Sequence, residues 1–169
     1  MPEHSADPAP SGDQLLESIL QSVPSAETVR SLGDEVVRVS ASDLIGLVEE
    51  ARNGGFEMCV DITVADYLGI RTDHRFEVVI NLLSLQHNRR LRLLVPVGED
   101  DPEVPSLVGI YPGANLMERE AYDMFGIRFA GHPDLTRILM PDDWVGHPLR
   151  RDFEVGSVPV QFKASPQVS

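Results

Sequence analysis

Cysteine is almost missing: Cys59 is the only one in 169 residues. One thiol cannot make a disulfide framework, nor can it alone hold an iron–sulfur cluster, which takes about four thiolates. Cys59 lies in a strand-like run and is expected to be buried and inert. Long apolar runs are missing too, and none approaches the ~20 residues that span a bilayer. No charged segment leading into an apolar one opens the chain, so no signal peptide is read and the expectation is a soluble protein, or a peripheral one held by a partner. Positive charge is scarce: 14 Lys and Arg against 27 Asp and Glu leave a net charge of -13. That balance argues against non-specific nucleic-acid binding, and the one short basic stripe is Arg89, Arg90 and Arg92. Phosphate-cradling glycine motifs are absent, since Gly126 and Gly131 fit neither Gly-x-Gly-x-x-Gly nor a P-loop.

What is present is an ordinary globular composition, 42% hydrophobic and 24% charged, with enough length for one domain and its core. Residues 1–13 combine Pro, Ser, Gly and acid and read as a disordered tail. Asp13 is placed to cap a short helix whose Leu15, Ile19 and Val23 recur every four residues before Pro24. A strand follows at 35–39, then a helix ending at Gly54-Gly55 with Leu44, Leu47, Val48 and Ala51 on one face. Met58, Val60, Ile62 and Val64 alternate as in a half-buried strand over 56–68, and strands at 74–85 and 91–97 flank a hairpin loop containing Asn88. Short connections imply antiparallel pairing. The expected fold is α+β: a mainly antiparallel or mixed sheet of about four strands with helices on one face, over residues 14–130.

Pro105-Ser106 opens a short helical turn, and Asn115 with Glu118 three residues on has the logic of a capping box for a helix over 116–125. That helix would bury Met117, Ala121, Met124 and Phe125 and end at Gly126 in the left-handed conformation. Glu118 and Glu120 stand about 200° apart on it, too far to share a substrate. Glu118 is therefore read as a cap, and Arg119 as the i,i+4 partner of Asp123. Beyond it, Gly131, Pro133, Pro141, Gly146 and Pro148 break up the backbone, and each His of two Gly-His-Pro triplets is biased toward extended geometry. Residues 131–153 read as an extended interface arm and 154–169 as a tail. His132, Asp134, Asp142, Asp143 and His147 have the atoms for a metal site, without two ligands on one helix face. Arg137, Arg150 and Arg151 have the forks for an anion, although pairing with this chain's many carboxylates is the simpler use. Trp144 in a loop reads as an interface anchor or core plug. Residue chemistry alone describes a binding or scaffold protein.

The segments Glu-Arg-Glu-Ala-Tyr-Asp-Met-Phe-Gly-Ile at 118–127, His-Pro-Asp-Leu at 132–135, Arg-Ile-Leu-Met at 137–140 and Gly-His-Pro-Leu-Arg at 146–150 resemble, in order, the 30 kDa (C) subunit family of respiratory complex I, the NADH–quinone oxidoreductase. Gly-Ile-Tyr-Pro-Gly-Ala-Asn at 109–115 fits the same pattern, and the βαβββ order agrees. Thr136, Leu116 and Glu154 depart from it, standing where a basic residue, an aromatic and a proline are usual. The resemblance implies a non-catalytic subunit of the peripheral arm with no cofactor or metal of its own. NADH, FMN, iron–sulfur clusters and quinone would be used through other subunits. It also implies contact with the B, D and I subunits around the terminal cluster and quinone cavity, at the cytoplasmic face of the bacterial membrane, in the separate form that is not fused to its D neighbour. Contact-making residues carried over are Glu118, Arg119, Glu120, Asp123 and Phe125 on the helix and His132, Asp134, Arg137, His147, Arg150 and Arg151 on the arm; Trp144 joins them as an anchor. Competing readings are the equivalent subunit of a membrane-bound hydrogenase or ferredoxin–quinone complex, and a small metal-dependent enzyme using His132, Asp134 and His147.

Overall fold

The computed structural model describes residues 12–23, 25–29 and 35–154. The tails expected at 1–13 and 154–169 therefore lie outside the described residues, except for Gly12, Asp13 and Glu154. The first element, α1 (Gly12–Ser22), already includes Asp13 in its first turn, so Asp13 does not precede the helix as a cap. Ile19 and Val23 are buried, with Leu16 and Leu20 half-buried against the core.

A three-residue strand not foreseen from the sequence, β1 (Glu27–Val29), pairs antiparallel with β2 (Glu35–Arg38). The next helix, α2 (Leu44–Asn53), buries Leu44, Leu47, Val48 and Ala51, the face its spacing predicts, and closes on Gly54. Then come β3 (Met58–Asp66), β4 (Phe76–Ser84) and β5 (Arg89–Val97), successive antiparallel neighbours. Asn88 takes positive φ in the β4–β5 turn, a conformation Asn tolerates better than most side chains. The sheet order is β1-β2-β5-β4-β3, and β2 runs parallel to β5, so the sheet is mixed and has five strands. Ile62, Val64, Val78, Ile80, Leu82, Leu91, Leu93 and Val95 share one core with the apolar faces of α1 and α2. The helices thus cover one face of the sheet.

Strict alternation fails in β3. Between Cys59 and Asp61 the register with β4 shifts, leaving Val60 as an extra residue. Because strand faces alternate with period two, one inserted residue reverses the faces on its N-terminal side. Met58 and Val60 are accordingly exposed, at 45% and 52%, while Ile62 and Val64 point into the core. Cys59 is half-buried on the core side, and burial pushes its thiol up to about 12, so it is not a thiolate at neutral pH.

After β5 the chain forms β6 (Glu103–Pro105), a turn through Ile110 and the helix α3 (Ala114–Phe125), followed by β7 (Arg128–Ala130). Strands β6 and β7 form a separate two-stranded parallel ladder, with Val104 paired to Phe129. Both are three residues long, below the length at which a sequence period becomes readable.

Candidate functional site

Helix α3 is the spine of the second half. Its N-cap is Gly113 and makes no side-chain cap bond, so the expected capping box does not form. Glu118 instead reaches back to the turn before the helix. It is fully buried and accepts hydrogen bonds from the Leu107 N–H and the Ser106 hydroxyl, both at 2.6 Å. Burial pushes its carboxyl above the usual range, against the pull of Ser106, Leu107 and His132. At the other end Gly126 terminates the helix at φ 74°, as expected. A Cβ there would come within 2.5 Å of both the His147 ring and the Arg150 guanidinium, so this glycine also makes room for the arm.

From Gly131 the arm follows α3 from one end to the other. His132 Nε2 lies 3.2 Å from the Asn115 carbonyl near the start of the helix, and its Nδ1 accepts from the Asp134 N–H. One turn further, Arg119 donates to the Thr136 carbonyl and hydroxyl and to the Arg137 carbonyl, at 2.9 to 3.1 Å. The arm is then clasped by Asp123. This fully buried carboxylate takes the N–H groups of Ile138, Leu139 and Met140 at 2.8 to 3.0 Å, together with Arg137 Nη1 at 2.5 Å. Three consecutive amides make an anion-binding concavity of backbone. Burial opposes ionisation of Asp123, but the amides of Met140, Leu139 and Ile138 and the Arg137 guanidinium prevail and hold its carboxyl down at about 2. The expected Arg119–Asp123 pair does not form; Arg137 is the partner of Asp123.

Beyond Met140 the arm wraps the open carbonyls at the C-terminus of α3. His147 Nδ1 donates to the Asp123 carbonyl, the Leu149 N–H to Met124 and Arg150 Nε to Phe125 at 2.6 Å. Burial, with the Arg150 and Arg137 charges, lowers the His147 imidazole, so it is neutral at pH 7. Arg137 Nη2 also donates to the Gly146 carbonyl, tying two parts of the arm together. Trp144 stacks on Phe153 with ring centroids 6.3 Å apart, and its buried indole N–H has no hydrogen-bond partner among the described residues.

The end of the arm is fastened to the sheet by residues the sequence did not single out. Arg75, only 5% exposed at its side chain, binds Asp66, Glu99 and Asp152, with Asp152 at 2.7 Å. The Arg151 N–H donates to Asp66. Asp66 is 9 residues from Arg75 and Asp152 is 77 away, so no local pattern announces the cluster.

Of the predicted contact residues, Glu118, Arg119, Asp123, His132, Arg137, His147 and Arg150 all bond within the chain. Phe125 is half-buried against the core, and Glu120, Asp134 and Arg151 are exposed. Among the described residues no group of three or more His, Cys, Asp or Glu is arranged to hold a metal ion. His132 and His147 sit at opposite ends of α3, roughly 12 Å apart along a rise of 1.5 Å per residue between Asn115 and Asp123. No described helix is long and apolar enough to cross a membrane.

The family described as respiratory-chain NADH dehydrogenase, 30 Kd subunit, matches residues 37–158. The protein of Saccharopolyspora erythraea named as the C subunit of NADH-quinone oxidoreductase is 53% identical over 110 residues, covering 65% of this chain and 44% of the relative. A Nocardioides protein of the same name is 46% identical over 134 residues, covering 78% and 53%. The chain thus spans about half the length of these curated relatives. Among solved structures, the trypsin-resistant fragment (1-134) of Nqo5 aligns with TM-score 0.66 at 32% identity, covering 73% of this chain and 98% of the fragment. A chain of an archaeal membrane-bound sulfane sulfur reductase aligns with TM-score 0.74, covering 94% and 98%, at 22% identity, a likeness of fold.

Proposed function

Because this chain belongs to the family of the 30 kDa subunit of respiratory-chain NADH dehydrogenase, we propose that it is a non-catalytic scaffold subunit of a proton-translocating NADH–quinone oxidoreductase. It binds no cofactor itself. It braces the B, D and I subunits around the terminal iron–sulfur cluster and the quinone cavity, on the peripheral arm at the cytoplasmic face of the membrane. NADH, FMN, the clusters and quinone are handled by the other subunits.

The observation that carries this reading is the joint between α3 and the arm. An active site needs polar groups that converge on a vacant space, whereas here Glu118, Asp123, Arg137 and His147 are each engaged by the chain's own backbone or side chains. What they produce is an irregular segment held in one shape, the property a brace requires.

The test is affinity purification of the tagged full chain from its own cells. Recovery of the quinone-cavity subunits is expected. Their absence, with the chain folded and abundant, overturns the reading. The equivalent subunit of a related membrane complex has the same fold, and it would be recognised by co-purification of that complex's subunits without an NADH-oxidising module.

A further inference from the structure

The face of the sheet turned away from α1 and α2 carries a cavity of its own. Along β4, Val78, Ile80 and Leu82 enter the core, so Glu77, Val79 and Asn81 stand on the opposite side. Glu77 and Asn81 are about 13 Å apart along the strand, with Val79 midway between them. Val79 pairs with Thr63 on one side and with Leu94 on the other. These five residues line a space of about 510 Å³, with Val36, Tyr67, Arg71 and Arg92 among their neighbours. A volume of that order suits a small molecule, and Val36, Val79 and Leu94 give it an apolar floor.

Each end of the cavity is finished by a guanidinium. At one end Arg92 donates its Nε to Asn81 Oδ1 at 3.0 Å. At the other, Arg71 lies over the Tyr67 ring, 3.8 Å from its centre, and donates to both the Glu77 carboxylate and His74 Nε2 at 2.9 Å. The Tyr67 hydroxyl donates to Glu77 as well, so this carboxylate, 2% exposed, already has its charge answered. A third guanidinium, Arg38, stands between Leu94, its pairing partner, and Glu77. Its Nη2 is 3.6 Å from Glu77, too long for a hydrogen bond, and its buried Nε has no hydrogen-bond partner among the described residues. A buried donor left unpaired is costly, and it calls for an acceptor. In a chain of net charge -13, three guanidiniums thus gather around one engaged carboxylate.

We propose that this cavity binds a small amphipathic anion, its single carboxylate or phosphate head on Arg38 and its apolar body along Val36, Val79 and Leu94. The sign of the ligand follows from charge complementarity, because forked guanidinium donors match planar or tetrahedral oxyanions. Its apolar body follows from the valines and leucine of the floor, which offer no partner to a polar one. The site is separate from the joint between α3 and the arm, and it stands independently of the scaffold reading.

Isothermal titration calorimetry of the purified full chain tests it. Hexanoate and hexyl phosphate are the probes, hexanol supplies the same body without charge, and inorganic phosphate supplies charge without the body. At least one hexyl anion should bind once per chain, and comparing the two tells a carboxylate ligand from a phosphate one. Hexanol and inorganic phosphate should each bind roughly tenfold more weakly or worse, as for loss of a charge-assisted contact or of the apolar one. Arg38→Gln should weaken the hexyl anion roughly tenfold and leave hexanol unchanged. Thr63→Glu places an acid at an exposed position of the lining and should weaken the anion severalfold by repulsion, while the variant melts within a few degrees of the parent. The proposal is overturned if neither hexyl anion binds at millimolar concentration, if hexanol or inorganic phosphate binds as tightly, or if either variant titrates like the parent.

Discussion

Asp123 is the residue on which the arm depends most. Its carboxyl titrates at about 2 when folded, against an ordinary 3.8. A lowered acid contributes stability above its unfolded value and loses it as the pH falls through the folded one. Asp123 should therefore add about 2 kcal/mol near neutral pH, declining between about pH 5 and pH 2. Asp123→Asn turns a donor toward three amides and an arginine. We expect a loss of about 3–5 kcal/mol, the range for removing one partner of a buried pair, read by denaturant unfolding at pH 7. Glu118 has the opposite sign. Its folded carboxyl is raised, so the stability it contributes is present below its ordinary 4.5 and falls as the pH rises through the folded value. Glu118→Gln keeps an acceptor for the Leu107 N–H without the charge, and should stay within about 1 kcal/mol of the parent at pH 7. Glu118→Ala orphans that N–H and should lose about 1–3 kcal/mol. Parallel thermal melts of the two variants make the comparison.

Among the elements, the arm is held by many small fastenings, so it should loosen in parts. Asp152, 49% exposed, joins the last residues of the arm to Arg75. Asp152→Ala should lower global stability by no more than about 1 kcal/mol, as expected for a screened pair. Limited proteolysis should nonetheless show faster cleavage at Arg151, with the Asp123 clasp and the sheet intact. How legible these elements were depended on how local their determinants are. The buried face of α2 followed from spacing alone, because Leu44, Leu47, Val48 and Ala51 answer only to the helical period. In β3 the period misassigned Met58 and Val60, because the bulge that turns them outward is fixed by pairing with β4. The importance of Glu118 and Asp123 was visible, but their partners were not. A capping box and an i,i+4 pair were the nearest local uses, whereas the true ones lie 11 to 17 residues away, at Leu107 and at 137–140. Arg75 gave no signal at all, since a lone arginine opening a strand looks like a solvated one.

At the scale of the whole molecule, a net charge of -13 strains the folded chain through its own repulsion. Added salt should screen that repulsion more than it weakens buried pairs such as Arg75–Asp66. The melting temperature of the isolated chain should thus rise between about 10 and 200 mM sodium chloride, where the screening length shrinks from roughly 30 Å to under 10 Å.

The layout of the arm's fastenings also sets the order in which it can form. Contacts with α3 close loops of 14 to 25 residues, from Arg137 to Asp123 and from Arg150 to Phe125, whereas those with the sheet span 77 and 85. Closing a short loop restricts the chain less, and each clasp made along α3 shortens the loop that remains for the next. The arm can therefore zip along α3 only after that helix has docked, reaching Arg75 last.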